Sequence, residues 1–388
     1  MTTTTTTTVA SNHKATNNTP PTIPNAKTTL GVPFLPPAAV SAGSGRIRNR
    51  LGRTRRSMAP PPVQILESAL SMLEHRVLVA LCQAGVPEAL GEPMSIDDLA
   101  IRVAVDPVRL ERLIRYGTSR GWLRIDRRGN VAPNKVTQFL RSDHPSGWRA
   151  WVDFLSIPAV VDAITALDLR ADNAPFERSN GQPFFDWMAE HPNEWGTFDR
   201  AMAAGGRMHA LTLDSAVTWK GTSHVCDVGG GTGDLLATML DLHPDWHGAL
   251  FDLPGVVQRA VAHERMQHLA GDAFTAVPTG FDTYLLVNVL HDWSDADSVR
   301  ILRNVARAMP GTGRLLIVDS QRRAVPRDEI FVSTDVLMAA LTSGGQERTA
   351  RQFTALGAEV GLRLVRTFAL ASGDVAHDLR CASHRVLE

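Results

Sequence analysis

At 388 residues the chain has room for two domains of roughly 100–200 residues each, and its 44% hydrophobic, 21% charged make-up is that of a soluble globular protein. No window approaches the ~20 uninterrupted apolar residues of a membrane span, and Cys82, Cys226 and Cys381 are too scattered for a C-x-x-C metal or redox pair and too few for a disulfide framework, which points to a reduced cytosol. The formal net charge of zero conceals a division: the first 66 residues hold eight basic residues and no acid, leaving 32 basic against 40 acidic residues in the remainder.

Thr2 to Thr8 are consecutive threonines, and Asn, Pro, Ser and Gly dominate from there to about Pro62. Such a segment buries too little surface to offset its conformational entropy, so residues 1–62 are expected to be a disordered basic leader. The Arg46–Arg56 run reads as a solvated tail, with a transit peptide or an anionic-surface patch as alternatives. Met58, just before the first amphipathic stretch, is a possible translation start.

From Val63 the apolar residues Ile65, Leu66, Ala69, Leu70, Leu73, Val77, Leu78 and Leu81 recur at three- and four-residue spacing and predict one long helix, broken by Gly85 and Pro87. Ser95, with Asp98 three positions on, signals a capped helix through Ile101. Asp106-Pro107 signals another, the Asp as N-cap and the Pro at the first helical position. A strand at Trp122–Ile125, a polar turn and a return strand near Val131 complete a winged-helix order. Residues 63–145 carry eleven basic and ten acidic residues. A phosphate-tracking surface would be clearly basic, so dimerisation is favoured over DNA binding, which stays as the rival. The stretch from Trp148 to Val217 holds most of the large aromatics and is expected to supply core and pocket.

After Ser223 short apolar runs alternate with helical segments: His224–Val228, Ala249–Phe251, Met266–Leu269, Thr283–Val289, Leu315–Val318, then Leu362–Phe368 and His384–Leu387. This alternation predicts an α/β fold, a parallel sheet covered by helices, with ligands at the carboxyl ends of the strands. The first run ends in Asp227-Val228-Gly229-Gly230-Gly231-Thr232-Gly233-Asp234 and enters a helix. No Lys follows as in a phosphate-binding loop, and no start gives G-x-G-x-x-G. The glycines Gly229, Gly231 and Gly233 between acids suit a ligand with a cationic amino-acid end. Asp252, nineteen residues after Gly233 in Phe251-Asp252-Leu253-Pro254, is placed to accept ribose hydroxyls. Asp272, in Gly271-Asp272-Ala273-Phe274, can accept from an adenine amino group, with Phe274 covering the ring.

These motifs, with Leu290-His291-Asp292-Trp293-Ser294-Asp295, Gly344-Gly345-Gln346-Glu347-Arg348-Thr349 and Phe198-Asp199-Arg200-Ala201-Met202, resemble those of the S-adenosylmethionine-dependent small-molecule O-methyltransferases. That group contains the plant caffeic acid and acetylserotonin enzymes and bacterial polyketide-tailoring enzymes. The resemblance runs from about Val63 to the C-terminus. It implies a winged-helix-like dimerisation domain (63–145), a helical linker and substrate-pocket region (146–220) and a Rossmann-like methyltransferase domain with a seven-stranded, mostly parallel sheet (221–388). It further implies S-adenosylmethionine as cofactor, held by Gly229, Gly231, Gly233, Asp252, Leu253, Asp272, Ala273, Phe274 and Asn288, and no metal. By the same match His291 is the general base, Glu347 and Asp319 are its carboxylate partners, and Phe198, Met202, Leu337 and Met338 line the acceptor pocket. The expected acceptor is a hydroxylated aromatic natural product, and the expected form a cytoplasmic homodimer that binds neither nucleic acid nor membrane. Asp319 stands where plant relatives have Glu, Val287-Asn288 where relatives often have Lys or Arg, and Gly206 where some have Ser. Family members that bind the cofactor but perform decarboxylation or hydroxylation are the nearer rival.

Overall fold

The computed structural model describes residues 38–382, except Leu169 and Arg327. Ala38–Met58 form a helix, which corrects the expectation of disorder through residue 62; residues 1–37 lie outside the described residues. The reason lies far along the chain. Asn49 donates to Asp328 at 3.0 Å and Arg56 pairs with Glu329, so acids of the body meet bases that composition alone treats as solvated.

The expected long helix is two, Pro61–Leu70 and Met72–Gln83, separated at Ser71. Their apolar residues divide: Val79, Leu81 and Cys82 are buried, while Ile65, Leu66, Leu70, Met72 and Leu73 are 48–71% exposed. Ser95 caps Ile96–Arg102, its hydroxyl accepting the Asp98 N–H at 3.1 Å, and Asp106 caps Pro107–Ser119 through the Arg109 N–H at 2.8 Å. Strands β1 (Arg124–Ile125) and β2 (Val131–Ala132) pair antiparallel. Leu81, Leu99, Leu110, Ile114 and Val131 make this region's core.

Five helices follow, Arg149–Phe154, Pro158–Thr165, Pro175–Asn180, Phe184–Glu190 and the long Pro192–Ala216. Phe154, Phe176, Phe184 and Phe198 interlock edge to face with centroids 5.1–6.4 Å apart, the arrangement the ring quadrupoles favour.

The main sheet contains β3 (His224–Val228), β4 (His247–Asp252), β5 (Met266–Ala270), β6 (Thr283–Val287), β7 (Arg314–Asp319), β8 (Leu362–Ala369) and β9 (Val375–Cys381). Its order is β5-β4-β3-β6-β7-β9-β8, with β9 antiparallel to both neighbours and the first five strands parallel. The final strand is therefore Val375–Cys381, ahead of the expected His384–Leu387, which lies outside the described residues. β6 also stops two residues short of the expected Val289. Asn288 adopts φ +53° there, which leaves the ladder although its N–H still reaches Val318 O at 2.9 Å. One core lies on each face of the sheet, around Tyr284, Leu286 and Ile317 on one and Leu236, Leu285 and Leu316 on the other. Burial on both faces explains why the central strands read as unbroken apolar runs. Chain direction out from the centre reverses between β3 and β6, the position where such sheets open a ligand crevice.

Candidate active site

At the end of β3 the chain turns through Gly229, Gly231 and Gly233 at φ +70°, +61° and +82°, a left-handed backbone that glycine alone adopts without strain. The turn is packed beneath and open above. A Cβ on Gly229 would meet Val289 at 2.9 Å and one on Gly230 would meet Asp227 at 2.6 Å, whereas one on Gly231 would meet nothing within 4 Å. Gly233 starts the Asp234–Leu242 helix with no side chain capping its first amides. Those amides are ready to receive a carboxylate or hydroxyl.

Asp252, at the tip of β4, accepts the Gly231 N–H at 2.8 Å and the Leu253 N–H at 2.7 Å. Burial raises its carboxyl to about 6 against the pull of those two donors. Asp227, wholly buried with one oxygen unpartnered, is raised by burial and by the Asp252 charge to about 7. Beyond β5, Asp272 accepts the Phe274 N–H at 2.9 Å and the Thr275 hydroxyl at 3.2 Å, while Asn304 holds Ala273 O at 2.8 Å. The Phe274 ring sits edge-on to Trp293 at 4.7 Å, with the Arg300 guanidinium over it. All nine residues expected to hold the cofactor thus lie along the carboxyl edge of β3 to β6. The open space over Gly231, uncapped amides and carboxylates with spare lone pairs fit a ligand carrying an amino acid, a ribose and a positive charge.

A second group of residues adjoins this edge. Leu290–Asp292 is a single 3-10 turn after β6. His291 Nδ1 lies 3.3 Å from Glu347 Oε1 and 3.8 Å from Asp319 Oδ1, the latter an ion-pair distance with no hydrogen bond. Nε2 makes no hydrogen bond among the described residues, and Asp292 Oδ1 stands 3.8 Å from it. Burial opposes a charged imidazole, but Asp292, Glu347 and Asp319 outweigh it and lift His291 from 6.5 to about 10. Asp319, at 0% exposure with both oxygens unpartnered, is pushed well above the carboxylate range by burial, and Asp292 rises to about 6 for the same reason.

Phe198, Met202 and Leu337 pack in the aromatic cluster of the helical region; Met338, also half-buried, does not join it. Phe185 stacks on Trp293 at 5.5 Å and links that cluster to the His291 turn. Three residues were not singled out as members of this site from sequence. Asp292 faces the ring from its own turn, with Oδ1 3.8 Å from Nε2, Asp335 accepts the Glu347 N–H at 2.8 Å, and Arg348 reaches the His291 turn. Arg348 stood in the motif; the partners of all three are set by tertiary contact.

A mostly parallel seven-stranded sheet, an open glycine turn and acids at successive strand ends define an S-adenosylmethionine-dependent methyltransferase. The chain belongs to the O-methyltransferase family, whose domain description matches residues 161–363, and it is an S-adenosylmethionine-dependent O-methyltransferase. It is 32% identical over 332 residues to the O-methyltransferase SfmM3 of Streptomyces lavendulae, covering 78% of this chain and 95% of that protein. It is also 32% identical over 350 residues to the mitomycin biosynthesis 6-O-methyltransferase of Streptomyces lavendulae, covering 84% and 95%. Among solved structures, LaPhzM superposes with a TM-score of 0.78 at 29% identity, over 83% of this chain and all of that one.

Proposed function

We propose that the protein methylates a hydroxyl of a small aromatic natural product, with His291 as general base. The observation that carries this reading is the pairing of His291 Nδ1 with buried Glu347 while Nε2 makes no hydrogen bond among the described residues. Such pairing fixes the tautomer and stabilises the imidazolium formed when Nε2 takes the acceptor's proton. A phenol loses its proton near pH 10, and Asp292, Glu347 and Asp319 raise the proton affinity of the neutral His291 ring, which favours removal of the acceptor's proton. Bound S-adenosylmethionine supplies the electrophilic methyl group. Gly229, Gly231, Gly233, Asp252 and Leu253 would hold its amino-acid and ribose portions, Asp272, Ala273 and Phe274 its adenine, and Asn288 the adjoining edge. Phe198, Met202, Leu337 and Met338 are assigned to the acceptor pocket, where aromatic and thioether surfaces suit a flat ring. The similarity to a mitomycin biosynthesis enzyme supports an acceptor of natural-product class.

The protein acts as a cytoplasmic homodimer on this reading, the exposed row Ile65, Leu66, Leu70, Met72 and Leu73 being the face that a second copy covers. Light scattering at the monomer mass would remove that element. The test of the reaction is a panel of phenolic acceptors with methyl-labelled cofactor, run beside His291→Ala. The variant is expected to bind S-adenosylhomocysteine normally and to lose about 10²–10⁴-fold in turnover; near-normal turnover refutes the base.

A further inference from the structure

Arg348 is the largest side chain with under 2% exposure among the described residues, and none of its contacts serves the cofactor or acceptor sites assigned above. Its donors run to three acceptors on one short stretch of chain: Leu290 O at 2.5 Å, Trp293 O at 2.6 Å and Asp295 Oδ1 at 2.8 Å. Those acceptors bracket His291. The turn is closed by the Trp293 N–H to Leu290 O bond at 3.2 Å, with the Ser298 hydroxyl also reaching Leu290 O at 3.4 Å; a single 3-10 turn has little rigidity of its own, and here the planar guanidinium fork adds bonds to both of its ends. The main chain reinforces the link, because Gln346 N–H donates to His291 O at 2.8 Å. Arg348 is itself tied to the sheet, its carbonyl accepting the Arg322 N–H at 3.0 Å just past the end of β7.

We propose that Arg348 is the positioning residue that sets the orientation of His291, by clamping the turn that carries the base to the segment that carries its carboxylate partner. The inference rests on His291 being the base. Glu347 and Arg348 are consecutive, so one residue grips the ring and the next grips the backbone beneath it. A displacement of the turn would open the Nδ1 to Oε1 contact and move Nε2 together. The clamp also holds Trp293, whose ring meets Phe185 on the pocket side and Phe274 on the other. The charged groups around the base are Asp292 on its own turn, Asp319 from β7, Glu347 and Arg348 from the loop, Asp335 behind Glu347 from the Glu329–Leu341 helix, and Asp295 behind Arg348 from the Asp295–Ala308 helix. Arg348 is the cation in this acidic group, and its charge favours the ionised form of Asp319.

The test is Arg348→Lys, which keeps the charge and loses the fork. Expected are a kcat about 10²-fold lower, the cost of an ångström-scale misplacement of a reacting group, an acid limb of the pH profile moved to lower pH as the Nδ1 to Oε1 contact loosens, and S-adenosylhomocysteine affinity within about twofold of the parent. Asp295→Asn provides the same reading if the lysine variant fails to fold, because Asp295 is 53% exposed and its loss weakens one contact of the clamp. A smaller kcat loss and a shift of the acid limb in the same direction are expected there. Parental kcat and pH profile in Arg348→Lys, or in Asp295→Asn where the lysine variant does not fold, overturn the proposal if His291→Ala is inactive. An active His291→Ala overturns it by a different route, through the base assignment on which it stands.

Discussion

Replacing Glu347 by Gln keeps the shape and an acceptor oxygen while deleting one charge 3.3 Å from His291 Nδ1. At an effective dielectric near 20, a full charge at that separation is worth about 5 kcal/mol, which corresponds to roughly 3–4 pKa units at about 1.36 kcal/mol each. Asp292 and Asp319 share the ring, and burial opposes all three carboxylates, so the His291 titration is expected to fall by about 1–3 units. The sign matters. The active base is neutral, so the acid limb of kcat/KM follows His291 and moves to lower pH in Glu347→Gln. The plateau above it is expected to drop by about 10²-fold, because a weaker base accepts the acceptor's proton less readily. Initial rates with methyl-labelled cofactor across the limb, together with NMR titration of the His291 ring, measure both. An unmoved limb with an unchanged plateau refutes the electrostatic account of this site.

Asp252→Ala is expected to weaken S-adenosylhomocysteine binding by at least 10-fold in calorimetric titration while leaving the fold intact, since the carboxylate orders the glycine turn and is assigned to the ribose; undiminished affinity would remove that assignment. Gly230→Ala places a Cβ 2.6 Å from Asp227 and 2.7 Å from Leu250, and about 1–3 kcal/mol of stability should be lost to overpacking, read from denaturant midpoints. His377 is buried, has no hydrogen-bond partner for either nitrogen among the described residues, and is lowered by burial from 6.5 to about 4. The unfolded chain therefore takes up its proton first, and stability is lost as pH falls from 6.5 towards 4, by about 3 kcal/mol in all. His377→Phe, which extends the packing on Phe353, is expected to flatten that part of the stability curve, and an identical slope would contradict the burial argument.

What was legible in the sequence was local. Ser95 and Asp106 announce their helices because a cap and its amide are three residues apart. The central strands announce themselves because both faces are buried, and the glycine turn because only glycine tolerates three left-handed positions within five residues. What escaped depends on distant partners. The Ala38–Met58 helix meets acids more than 270 residues away. β6 ends early because Asn288 turns out of the ladder while remaining tied to β7, and although asparagine favours left-handed backbone, that preference is too weak to mark a strand end inside an apolar run. Within the site, His291 and Glu347 carried motif resemblance, whereas the reach of Arg348 to Leu290 and Trp293 and the support of Glu347 by Asp335 are consequences of packing.

The reversal of strand order between β3 and β6 has a bearing on how this enzyme could be retargeted. Residues assigned to the donor stand at the ends of β3, β4, β5 and, with Asn288, β6, those assigned to the proton on the turn after β6, at the tip of β7 and on the loop beside it, and those assigned to the acceptor on helices outside the sheet. The three tasks thus draw on largely different elements, with the Glu329–Leu341 helix shared, since it carries Leu337 and Met338 as well as Asp335, which accepts the Glu347 N–H. Substitutions at Phe198, Met202 or Leu337 can reshape what is methylated while the donor cradle and the base keep their supports, so libraries aimed at new acceptors should be confined to these positions and leave Asp335 unchanged.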